Sequence, residues 1–96
     1  MAQANTRKRL EKLEQRADTL AGIISTLRES LDKVEKRQKE AVSMSQIKGQ
    51  LYAKEWASKA THQQHNADNL KKAIEEYSNE LNQVCEKIEQ LERGAR

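Results

Sequence analysis

His62 and His65 stand three residues apart, a spacing that puts two imidazoles on one face of a helix and within reach of one divalent metal. A tetrahedral site needs further ligands, and neither Cys85, about five turns along the same helix, nor a neighbouring carboxylate completes the set. The pair therefore reads as two solvated histidines, with no metal and no cofactor expected. Cys85 is the one cysteine, so no disulfide can form within a chain, which agrees with a reducing compartment. Its position beside an apolar seam leads us to expect a half-buried small hydrophobe there. For catalysis the chain offers no Gly-rich phosphate loop, no paired-Cys zinc spacing and no Ser or Cys nucleophile with a recognisable surround. No catalytic residue is assigned, and the chain reads as non-enzymatic.

A second group of chemistry-bearing residues lies near the N-terminus. Arg7, Lys8 and Arg9, followed by Lys12 and Arg16, could hold phosphates, in keeping with a net charge of +3 and a pI of about 9.1. The run directly precedes a leucine ladder and so resembles the basic arm of basic-zipper transcription factors. It is too short to lie along a major groove, however, and lacks their Asn-x-x-Ala-Ala pattern for base contacts. Glu11, Glu14 and Asp18 also interrupt it. Alternating signs on the outside of a helix are usually a solubility feature, so nonspecific nucleic-acid contact is kept as the lesser reading.

The elements that would carry these residues follow from two ladders of apolar positions. The first steps from Thr6 through Leu10, Leu13, Ala17, Leu20, Ile24, Leu27, Leu31 and Val34. The second steps from Ala67 through Leu70, Ile74, Tyr77, Leu81, Val84, Ile88 and Leu91. Spacings of three and four in alternation keep one narrow stripe turned to a partner helix, the heptad logic of a coiled coil. After Val34 the first seam weakens to Gln38, Ala41 and Ser45, and the second, traced back through Gln63, Ala60, Trp56 and Ala53, arrives one residue out of phase. A single long rod would absorb the extra residue by a local change of supercoil, whereas a turn makes the phase irrelevant.

Between the ladders, Ser43-Met44-Ser45-Gln46 has the form of a capping box, and Lys48-Gly49 is a cation followed by a residue able to take positive φ. We therefore expect one all-α coiled-coil unit over residues 1–96, with a helix over about 5–42, capped at Asn5 or Thr6, a turn over about 43–50 and a helix over about 51–93. An antiparallel hairpin that oligomerises is the favoured architecture. The alternatives are a single parallel rod and a three-helix arrangement in which Asp68, within the run of poor helix formers Thr61 to Asn69, caps a new helix. Folding about Ile47 would bring Arg16 to Glu80, a favourable pair, but also Arg9 to Lys87 and Arg37 to Lys59, which are like charges.

Composition agrees with long solvated helices: 35% hydrophobic and 34% charged residues, without Phe or Pro, cannot fill a thick core. Gly22 sits inside the first ladder at a cost of about 1 kcal/mol against Ala. No stretch approaches the roughly 18 consecutive apolar residues of a membrane span, and the polar, basic N-terminus has no apolar signal region, so a cytoplasmic or virion-internal setting is expected. The helix-to-helix interface is assigned to Leu10, Leu13, Leu20, Ile24, Leu27, Leu31, Val34, Trp56, Leu70, Ile74, Tyr77, Leu81, Val84, Ile88 and Leu91. Ile23, Val42, Met44, Ile47 and Leu51 fall off this seam, and with Trp56 they form a candidate second apolar surface. The length and mid-chain Trp resemble the secreted helical-hairpin dimers of the Trp-x-Gly family, but Ala57-Ser58 follows Trp56, and Tyr77 lacks that family's carboxylate four residues on. The function expected is that of a scaffold or assembly factor, a homo-oligomer with dimer favoured, able to dock a helical protein partner.

Overall fold

The computed structural model describes residues 2–94 and has two helices, α1 (Ala2–Ser45) and α2 (Ala53–Gly94), joined through residues 46–52 into an all-α hairpin. With no Pro to break the chain and a wealth of Leu, Glu, Lys, Arg and Gln, nothing interrupts either helix. The single rod and the three-helix arrangement are therefore set aside. α2 runs unbroken through Thr61–Asn69, where the Thr61 hydroxyl donates to the Ala57 carbonyl at 3.2 Å, a bond back along the helix that leaves the backbone ladder in place.

The helix ends differ from the sequence expectation in instructive ways. α1 already includes Asn5 and Thr6, because Ala2 and Ala4 are good helix formers and no breaker holds the start back. Ser43 is not a cap for the second helix but lies in the closing turn of α1, where its carbonyl accepts the Gln46 N–H at 3.2 Å. The Ser45 hydroxyl donates to the Val42 carbonyl at 2.7 Å, occupying another carbonyl that the helix end leaves without a backbone donor. The reversal itself is made by Ile47–Gln50, closed by the Gln50 N–H donating to the Ile47 carbonyl at 3.2 Å. Gly49 takes φ +80° in the third place of that turn, where a type II turn requires the left-handed region. α2 then starts with Tyr52 as its cap residue, whose carbonyl accepts the Trp56 N–H at 3.0 Å. The Tyr52 N–H donates to Gln50 Oε1 at 3.5 Å, and Glu55 places a negative charge in the first turn, where the helix dipole favours it.

The packing divides into two compact units. In the first, the part of α1 up to Ser25 pairs with the part of α2 from Glu75, and its core is Leu20, Ile24 and Val84, with Leu20 fully buried. Leu10, Leu13, Ala17, Tyr77, Leu81, Ile88 and Leu91 of this unit are half-buried, while the residues between them on the sequence are mostly exposed. Its register is marked by the Arg16 guanidinium donating to Glu80 Oε1, the cross-helix pair that folding about Ile47 requires.

The second unit, Thr26–Ile74, holds the turn and the adjoining arms. Its buried hydrophobic residues are two alanines, Ala41 and Ala67, while Leu27, Leu31, Val34, Trp56, Leu70 and Ile74 stay half-buried. Small residues disappear completely where backbones come close, and larger ones keep an edge in water. The Lys59 ammonium lies 4.6 Å from the centre of the Trp56 ring, a cation–π contact that covers part of the indole. Gln63 is the seam's polar interruption: its Oε1 is buried and has no hydrogen-bond partner among the described residues.

Two measurements check this packing. Leu20→Ala should lower unfolding free energy by about 2–5 kcal/mol in a denaturant titration, whereas Lys33→Ala, on an exposed position, should stay within about 0.5 kcal/mol. Gly22 and Gly49 should respond with opposite signs. A Cβ meets nothing within 4 Å at either Gly22 or Gly49, so backbone conformation alone decides. Gly22→Ala, inside α1, should stabilise by about 0.5–1 kcal/mol, and Gly49→Ala should destabilise by about 1–2 kcal/mol, visible as thermal midpoints moving in opposite directions.

Candidate helix-docking surfaces

The fifteen seam positions assigned from sequence are all buried or half-buried, which leaves the question of what covers their remaining edges. A helix paired with one other helix hides few Leu or Ile side chains completely, because the flanks of the seam lack neighbours. Cys85 shows the same limit. It lies exposed, not half-buried as the sequence suggested, since a position flanking the seam is covered only when a further helix lies beside it.

The turn unit carries an apolar tip. Val42, Ile47, Leu51 and Tyr52 are exposed, Leu51 at 88% and Tyr52 at 61% of their full area, and they cluster between residues 42 and 52 because the turn holds them off the seam. Val42 also lines a groove of about 440 Å³ along α1 with Glu35, Gln38, Lys39 and Ser43. Met44 is half-buried and Trp56 is shielded by Lys59. Ile23, grouped with these residues on sequence grounds, belongs to the other unit.

The unit containing the helix ends carries a surface of different character. Arg9, Lys12 and Leu13 of α1 and Lys87, Gln90 and Leu91 of α2 line an open groove of about 480 Å³. Of the five basic residues considered for phosphate contact, Arg7 and Lys8 are exposed on the opening turns, Arg9 and Lys12 line this groove, and Arg16 is engaged with Glu80. In the hairpin, sequence reasoning met Lys87 as an unfavourable neighbour of Arg9. The signal that could have found the groove was that same clash, because like charges brought together by register make a site for an opposite charge.

His62 and His65 are both exposed on α2, and no group of three or more His, Cys, Asp or Glu side chains is placed to share a metal among the described residues. No described helix is long and apolar enough to cross a membrane. The surfaces that the arrangement presents are apolar edges on the seam and tip, and cations around a leucine floor.

The Arg16–Glu80 pair is partly solvated, with side chains 48% and 40% exposed, so its contribution should be small and sensitive to salt. A double-mutant cycle of Arg16→Ala and Glu80→Ala should give a coupling of about 0.2–1 kcal/mol at low ionic strength, fading as salt is raised. A coupling of zero at low salt would mean that the pair contributes nothing to the register.

No family model matches this chain, and no curated protein or solved structure is similar to it.

Proposed function

We propose that this chain is a non-enzymatic assembly protein that associates with further helices, first of all with a second copy of itself, through the uncovered edges of its coiled-coil seam. The observation that supports this reading is surface area. The chain exposes 7775 Å², whereas a compact monomer of its 11.1 kDa mass would expose about 5,700 Å². The excess of about 2,000 Å² is the amount that one protomer can surrender to an obligate dimer interface. The exposed area includes the edges of half-buried seam leucines and isoleucines, and completing such a burial is worth a fraction of the roughly 1.5–3 kcal/mol of a full one, before ordering costs.

A dimeric four-helix arrangement satisfies this demand with the fewest copies. Docking to a different helical protein is the same chemistry with another occupant. In either case the role is structural: the chain brings helices together and performs no reaction on what it binds.

Self-association makes stability depend on concentration. Circular dichroism melts of the full chain across the micromolar range should show midpoints that rise with protein concentration, and sedimentation equilibrium should return more than one chain mass. Each tenfold dilution should weaken a dimer by about 1.4 kcal/mol. A helical monomer melting at one temperature whatever its concentration would overturn the self-association.

A further inference from the structure

The groove at the helix ends gathers three cations that lack a local counter-charge. Along a helix, a cation is normally answered by a carboxylate three or four residues away, as Lys36 is by Asp32 at 3.3 Å and Arg93 by Glu89 at 3.9 Å. The three groove cations have no such neighbour. Arg9 has Asn5, Thr6, Lys12 and Leu13 at those spacings, Lys12 has Lys8, Arg9, Gln15 and Arg16, and Lys87 has Gln83, Val84, Gln90 and Leu91. The hairpin register then gathers all three around one groove whose lining includes no acid. Their mutual repulsion is a standing cost that a carboxylate-bearing occupant would remove.

The floor narrows the class of occupant. Leu13 and Leu91 are seam leucines left half-buried, so the groove offers apolar surface between cationic sides. Phosphates of a duplex would use the cations but would strand the leucines, because a nucleic-acid backbone brings no apolar knob to cover them. An amphipathic helix with leucine or isoleucine on its buried stripe and glutamate on the flanks would satisfy both features at once. We propose that the groove formed by Arg9, Lys12, Leu13, Lys87, Gln90 and Leu91 receives an acidic amphipathic helix. The proposal rests on the reading that this chain docks helices, and it names the chemistry of the helix docked.

The test uses the full chain and three labelled probes: a synthetic four-heptad helix with Leu at a and d and Glu at e and g, the same helix with Lys replacing Glu, and a short DNA duplex. Fluorescence anisotropy should show the Glu helix binding at least about tenfold more tightly than the Lys helix, with affinity falling as salt rises. The combined variant Arg9→Gln, Lys12→Gln and Lys87→Gln changes only exposed side chains, so circular dichroism should stay unaltered while affinity for the Glu helix drops about tenfold or more. Equal binding of the two helices, indifference to the triple substitution, or a preference for the duplex through these same cations would each overturn the proposal. Sedimentation of the same samples separates the two readings. Self-association without binding of the Glu helix rejects the acidic occupant alone, whereas a stable monomer that binds none of the probes rejects both.

Discussion

A helix can hide from one partner helix only a stripe about one residue wide, and this limit governs the whole molecule. In the unit built from the helix ends it leaves three buried apolar side chains, Leu20, Ile24 and Val84, within a longer seam of half-buried leucines with Tyr77 and Ile88. In the turn unit it leaves two buried alanines. The hairpin closes because the stripe on α1 and the stripe on α2 are long enough to supply many partial burials. The same geometry leaves most of the other seam side chains with an edge in water, spread along both helices and not confined to a single patch.

Electrostatics acts within that frame as a selector. The Arg16–Glu80 pair is worth little in energy, yet it marks the antiparallel register, and the same register brings Arg9 and Lys12 to Lys87. One pairing is satisfied inside the chain, and the other sets three cations around a groove whose lining includes no acid. Lys59 shows a third outcome. A like-charged neighbour, Arg37, was expected from the register, and the ammonium is found over the Trp56 ring. Gln63 places a buried amide oxygen with no partner among the described residues in the seam, a local cost in stability.

The turn illustrates how competing local signals are resolved. Ser43 and Gln46 have the spacing of a helix start, but Ser43 follows a helix that is already running, and its carbonyl is taken by the Gln46 N–H. Continuing an existing helix costs less than nucleating a new one. Gly49 ends the contest, since it is the residue that enters the left-handed region without steric penalty, and the chain reverses there. The reversal leaves Ile47, Leu51 and Tyr52 uncovered at the tip.

Heptad spacing was sufficient to indicate two long helices, because a 3.5-residue apolar period is a local property that can be read without knowing the partner. The helix starts and the cap of α2 were not legible to within a few residues, since Asn5, Thr6 and Ser43 can serve equally as caps or as ordinary helical residues, and the outcome depends on what precedes them. Hairpin against rod was likewise undecided on sequence, because two heptad arrays always find some matching register and the exposed charges differ by only tenths of a kcal/mol. Tertiary structure decided that question and, with it, the fate of the cations: Arg9 and Lys87 are far apart in sequence, and only the antiparallel register makes them walls of one groove. Residue identity determined which stripe is apolar. The fold determined which edges of it stay open and which charges stand beside them, because both depend on what the opposite helix fails to cover.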